Sequence, residues 1–436
     1  MSEEAGRAVL AANMKIVHER WPEIGRVLLE APRPAEFTVT TQQPYPTLFV
    51  DGIHLSSGYD PVREAELQAG LIPSCSRSAW VYGFGGGHLP RVLLKRAALA
   101  GLTVVIMNHG VAALSLACFD HADWLADPRV KLVLAEAEQE IKVPFAAVPS
   151  CLQLASDAAA RLRDLVFLEL ATPFAEKRLQ EKKDSWRPRL RENISFVIKD
   201  GDVASLFGSR PGERIIVAAA GPTLSTHYQW LQSLGGQHCL IAVDAALKPL
   251  LVGGICPDMV VSIDGLPVVA KFFEDIEHPS MRRSILVYAP VLYPEILERW
   301  PGRRLASYPS DPMYAAMAQE YPRGSLFASG SVLHPAVDLA VKMGAGEVVL
   351  LGADFSFPGG QTHVAGCFRA GDRSGRANAH WVISGEGERV ATSPNFRGFL
   401  RDLERYIHAH PNVRFVNGSR RGAKIEGTFD LQGERI

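Results

Sequence analysis

The chain has 436 residues, enough for two or three domains, and its 47% hydrophobic and 21% charged content is that of an ordinary soluble globular protein. Lys and Arg total 46 against 47 Asp and Glu, and a net charge of -1 argues against a dedicated nucleic-acid binder. The cysteines (75, 118, 151, 239, 256 and 367) lack CxxC or Cys/His spacing, so they read as buried thiols of a reducing compartment and not as zinc ligands. The start MSEEAGRAVL has no basic stretch followed by an apolar one, and no apolar run approaches the roughly 20 residues that span a bilayer. A cytoplasmic protein with no membrane segment is expected.

Residues 3–30 carry apolar residues at helical spacing (Val9, Leu10, Val17, Trp21, Ile24, Val27, Leu28), which predicts a leading helical segment. FTVT, TLFV and IHL between Phe37 and Leu55 predict short strands, and a helix starts at Pro61 in YDPVREAELQAGL. AWVYGFGGGHLPRVLLKRAALAGLTVVIM alternates strand, glycine loop, helix and strand in the βαβ manner, and VKLVLA near Val130 predicts a third parallel strand. Residues 151–206 turn charged and helical, a connector. From 207 onward IIVAAA, LIAVD, MVVSID, SILVYA and EVVLLGADF predict the strands of a second α/β unit. The predicted fold is therefore α/β. Two Rossmann-like, doubly wound units, one within 1–150 and one over 207–436, flank the connector.

The loop GFGGGH (Gly83 to His88) lies where a dinucleotide or S-adenosylmethionine loop would, after a strand and before a helix. The next strand ends in VVIMNHG, so Asn108 stands where an acidic ribose ligand is usual. A retained structural Rossmann-like domain is the expectation. His88 and His109 read as loop histidines.

The second unit holds four clusters at predicted strand ends. AAAGPTL turns on Gly221, Pro222 and Thr223, a junction whose backbone N–H groups suit a phosphate. IAVDAALKPLLVGGICPDMVVSIDG places Asp244, Asp258 and Asp264 near two further strand ends; FASGSVLHP opens a helix with Ser329, Gly330 and Ser331; VVLLGADFSFPGGQTH carries Asp354 and leads to His363. Carboxyl ends of strands in an open sheet meet in one crevice, so a single ligand site is expected. Each aspartate reads equally as a helix cap or loop anchor, and the serines as N-caps.

At these residues the sequence resembles the motility accessory factors of flagellin glycosylation, whose central domain is classed as MptE-like after an archaeal 6-hydroxymethylpterin diphosphokinase. The shared pattern comprises Gly221 to Leu224, Asp244, Pro257 to Asp264, Ser329 to Val332, Gly352 to Asp354, and Thr362 with His363. SGYDPVREAE, GFGGGH, ATSPNFRGFLRDLERYI and NGSRRGAKIEGT extend it over most of the chain. The family is similar, more distantly, to bacterial sialyltransferases. That likeness implies that Gly221, Pro222 and Thr223 approach the donor phosphate or ribose, that Ser329, Gly330 and Ser331 hold the nucleotide, and that a histidine acts as base. Here Asp244 and Asp264 stand where sialyltransferases carry asparagines, and Ser356 where they carry a tyrosine.

The resemblance implies a CMP-activated nonulosonic acid, of pseudaminic or legionaminic type, as donor and a Ser or Thr hydroxyl of flagellin as acceptor. His363 is the first candidate base and His380 the second, with Asp264 and Asp354 beside it and Asp244 and Asp258 on the donor. No cofactor is firmly implied, although carboxylates beside a phosphate make Mg²⁺ on Asp244 and Asp264 an open alternative. Arg420 and Arg421 are candidates for the donor carboxylate or for a solvated turn. Two rivals stay open: diphosphoryl transfer from ATP with Mg²⁺, and a non-enzymatic flagellin-binding assembly role.

Overall fold

β-Branched runs become buried parallel strands in both halves of the chain, as their lack of polar alternation requires. The computed structural model describes residues 3–40, 45–137, 140–276, 278–372 and 380–431. They fall into two compact units, Met1–Ala171 and Thr172–Ile436, and the division lies within the helix Ala160–Glu192.

In the first unit the leading segment is two helices, Glu3–Arg20 and Pro22–Glu30, with Pro22 at the first position of the second. The strands Phe37–Thr40, Thr47–Val50 and Ile53–His54 form an antiparallel sheet. Asp60 caps the helix Pro61–Ala69 by accepting the N–H of Arg63. A four-stranded parallel sheet follows, in the order Val130–Leu134, Gly101–Ile106, Ser78–Tyr82, Phe145–Ala147. Its last strand is three residues long, too short to stand out in sequence.

The second unit is built on a nine-stranded parallel sheet. Its strands are β1 (Gly201–Asp202), β2 (Arg214–Ala218), β3 (Cys239–Val243), β4 (Met259–Ser262), β5 (Ile285–Tyr288), β6 (Arg304–Ala306), β7 (Glu347–Leu351), β8 (Arg414–Asn417) and β9 (Phe429–Asp430). Their spatial order is β9-β8-β7-β2-β3-β4-β5-β6-β1. Ile215, Ile216, Val217, Val260, Val261, Val348 and Leu350 are buried at its centre. From β2 the chain steps outward through β3 to β6, then returns past β2 to β7. Loops leaving β2 and β7 therefore part in opposite directions, and such a reversal opens a crevice at the carboxyl ends of the strands.

Both sheets are parallel and Rossmann-like. Among the described residues no helix is long and apolar enough to cross a membrane.

Candidate functional site

The crevice at this reversal holds a cavity of about 200 Å³ that opens to solvent. Gly221, Asp244, Asp264, Gly330, Ser331, Asp354 and His363 all line it. These seven residues come from segments far apart in the sequence.

The Gly-Pro-Thr turn has a different role from the one anticipated. Gly221 donates its N–H to the carbonyl of Gly352 (2.9 Å), and Thr223 donates its N–H to Asp354 Oδ2 (2.9 Å) and its hydroxyl to Oδ1. The N–H groups read as a phosphate cradle are thus already engaged by the protein, with a carboxylate seated where an anion would bind. Gly221 is needed for packing: a Cβ there would stand 2.3 Å from the Gly352 carbonyl oxygen and 2.5 Å from Asp354 Oδ2. Pro222 and Thr223 lie behind this contact, outside the crevice lining.

Asp354 is buried, which pushes its carboxyl above the ordinary range against the opposing bonds from Thr223. The next residue, Phe355, has φ 45°, a left-handed backbone that is uncommon for a bulky side chain. Thr392 donates its hydroxyl to the Phe355 carbonyl (2.6 Å), fixing the turn.

Asp244, at the end of β3, is also buried. Its Oδ1 accepts the N–H of Ala245 and its Oδ2 the hydroxyl of Ser262, each at 2.7 Å. Burial pushes this carboxyl up to about 7, with the negative charge of Asp264 adding to the rise and Arg369 opposing it. Asp264 accepts the N–H of Leu266 (3.0 Å). Among the described residues no group of three or more His, Cys, Asp or Glu is placed to hold a metal ion. Both oxygens of Asp244 are already engaged by the protein, by the N–H of Ala245 and the hydroxyl of Ser262.

The helix Leu333–Lys342 opens on the Ser329–Ser331 turn, where Gly330 takes φ 76° with the Phe399 ring against it. Ser331 Oγ accepts the N–H of Leu333 (3.3 Å), and among the described residues no protein acceptor takes the N–H groups of Gly330, Ser331 or Val332. All three residues line the crevice. Ser329 donates its hydroxyl to Asp402 and stands outside the lining.

His363 lies in the loop after β7, which Val364 ties to the end of β2 by donating its N–H to the Ala220 carbonyl (2.9 Å). Burial, and then the Arg369 guanidinium, hold its imidazole below the ordinary value, so the ring is neutral at pH 7. Its Nδ1 is buried with no hydrogen-bond partner among the described residues.

Two assignments move. Asp258 precedes β4, so it lies at the amino ends of the strands, exposed, accepting the N–H of Leu240 (2.8 Å). This is a correction: a residue before a parallel strand sits at the opposite end from the crevice. His380 does not line the crevice; its carbonyl accepts the N–H of Thr392 (3.0 Å). Arg420 pairs with Asp430 at 3.5 Å. Residues missed in sequence are Arg369 and the aromatic wall of Phe272, Phe396 and Phe399. Phe396 and Phe399 share a face of the helix Pro394–Ala409, a spacing that reads as core and carries no ligand signal.

In the first unit Asn108 caps the helix His109–Cys118, accepting the N–H of Val111 (3.1 Å) and donating to the Leu154 carbonyl (2.7 Å). The glycines of the loop meet protein atoms: a Cβ on Gly83 would strike Cys151 at 2.1 Å, and one on Gly85 the Leu55 carbonyl oxygen at 2.7 Å. His109 pairs with Glu136 (3.1 Å).

Residues 189–360 match the family model described as 6-hydroxymethylpterin diphosphokinase MptE-like. This chain carries an MptE-like domain. Over 184 residues it is 29% identical to the 6-hydroxymethyl-7,8-dihydropterin pyrophosphokinase of Methanothermobacter thermautotrophicus, covering 41% of this chain and 71% of that protein. A solved structure, described as a MAf glycosyltransferase from Magnetospirillum magneticum AMB-1, aligns over 98% of this chain and 74% of its own at 18% identity and TM-score 0.44. The matched MptE-like residues end before His363, Arg369, Phe396 and Phe399, so these crevice residues come from chain beyond them.

Proposed function

We propose that the crevice binds a nucleotide-activated sugar and transfers its glycosyl group to a hydroxyl acceptor. The finer reading is a nonulosonic acid of pseudaminic or legionaminic type, carried by CMP and moved to Ser or Thr of flagellin in the cytoplasm. The lining of the crevice carries this reading: it joins Asp264 and the raised carboxyls of Asp244 and Asp354 with Arg369, the cationic side chain among the described lining residues. Glycosyl transfer develops positive charge on the sugar and releases a single phosphate, which this balance suits. An ATP triphosphate in the same place meets carboxylates unless metal ions intervene.

In this mechanism the acceptor oxygen bonds to the anomeric carbon. The bond from that carbon to the phosphate oxygen breaks, its electron pair leaving with CMP. The acceptor proton passes to the neutral His363 imidazole. The N–H groups of Gly330 to Val332 receive the phosphate at the helix N-terminus. Phe272, Phe396 and Phe399 offer apolar surface to the base or sugar.

A second reading is favoured by the pterin pyrophosphokinase likeness: diphosphoryl transfer from ATP, with Mg²⁺ on Asp244 and Asp264. A purely structural flagellin-binding role is the third. Calorimetry separates them. The proposal expects CMP to bind without Mg²⁺; binding of ATP only with Mg²⁺, and none of CMP, supports the second reading, and no binding of either supports the third. Intact mass of co-expressed flagellin, with and without the protein, then tests the transfer.

A further inference from the structure

We infer that Arg369 is the specificity determinant for a carboxylate on the transferred sugar, an inference that rests on the glycosyl-transfer reading above. Its side chain is exposed and lines the crevice, and among the described residues no acidic side chain lies within ion-pair distance of it. It is nevertheless close enough to act electrostatically on both Asp244 and His363.

The backbone that carries it is held in place. Thr362 donates its hydroxyl to the Arg369 carbonyl (3.0 Å) and its N–H to the Gly371 carbonyl (2.9 Å), and Ala370 donates to the Cys367 carbonyl (2.9 Å). Val364 joins the same loop to Ala220 at the end of β2. A guanidinium on a fixed loop, over carboxyls it does not pair with, is a site prepared for an anion that arrives with the ligand.

Two anionic groups then have two places. The unengaged N–H groups of Gly330 to Val332 form a compact set of donors suited to a phosphate. Arg369 presents a planar fork that matches a carboxylate bidentately, a geometry that an ammonium lacks. Its place beside His363 puts the sugar's acid group next to the base, and so orients the reacting carbon.

The test measures binding of CMP and of CMP-N-acetylneuraminic acid, whose sugar carries a carboxylate, to the full chain and to Arg369→Gln. Wild type is expected to prefer the CMP-sugar by about 10-fold to 100-fold, the weight of a charge-assisted hydrogen bond pair. Arg369→Gln should reduce that ratio to near one, with Arg369→Lys falling between. Thermal unfolding of each variant verifies folding. Equal weakening of both ligands would make Arg369 a phosphate-binding residue and overturn the inference, as would an unchanged ratio. Failure of wild type to bind CMP at all sinks the glycosyl-transfer reading itself, whereas CMP binding with no preference for the CMP-sugar sinks this inference alone.

Discussion

Asp354 accepts both the backbone N–H and the hydroxyl of Thr223, joining the turn after β2 to the turn after β7. Thr223→Val keeps the branched shape and removes the hydroxyl, leaving a buried carboxyl short of a donor. Unfolding in urea should show a loss of about 1–3 kcal/mol. No change would mean that the bond is replaced by water.

Gly221→Ala should behave as a stability variant before it behaves as a binding variant. The added carbon meets a backbone carbonyl that cannot swing aside, and overpacking of this kind costs about 1–3 kcal/mol. Differential scanning calorimetry reads the effect. A variant as stable as wild type, with donor affinity alone reduced, would restore the ligand-cradle reading of the turn.

Asp244 makes stability depend on pH in a stated direction. Its folded carboxyl is raised to about 7, so between about 4 and 7 the native state holds a proton that the unfolded state has released. This contribution is complete below about 4 and is lost as pH rises through about 7. The slope from one such proton approaches about 1.4 kcal/mol per pH unit. Asp244→Asn should flatten this part of the profile, measured by urea unfolding across that window; parallel curves for the two proteins would refute the burial argument.

His363→Ala should retain donor binding and lower transfer by about 10²-fold to 10⁴-fold, with His380→Ala as the matched control. Because the imidazole is held low, the acidic limb of the pH–rate profile should fall below the ordinary histidine value of about 6.5. Removing the Arg369 charge should move that limb upward. If His380→Ala alone abolishes transfer, the base is not in this crevice.

Asn108→Ala should cost about 1–2 kcal/mol through the lost helix cap. Equilibrium dialysis should detect no S-adenosylmethionine binding to the wild-type protein. Tight binding would give the first glycine loop a ligand after all.

The central strands were legible because residues such as Ile215 to Val217 and Val260 to Val261 are buried on both faces and leave no polar alternation. The short outer strands β1, β6, β8 and β9 were not, since a two- to four-residue strand is defined by the neighbour it pairs with. The same limit applied to the site. Gly221, Asp244 and Asp354 follow strands and could be assigned to one crevice from direction alone. Asp258 precedes its strand, and direction alone sends it to the opposite end of the sheet. Arg369 and the phenylalanine wall come from a loop and a helix whose spacing carries no sign of a ligand.

The pairing of β2 with β7 brings together Arg214 and Glu347, 133 residues apart in the chain. During synthesis from the N-terminus, β2 and β3 can meet early, but the other edge of β2 stays open until β7 has emerged. That edge belongs to the run Ile215, Ile216, Val217, an apolar segment of the kind that recruits foreign strands. The crevice is therefore among the last features of the second unit to form. A chain stopped before Glu347 lacks not only Asp354 and His363 but also the strand that covers β2, and should depend on a chaperone to remain in solution.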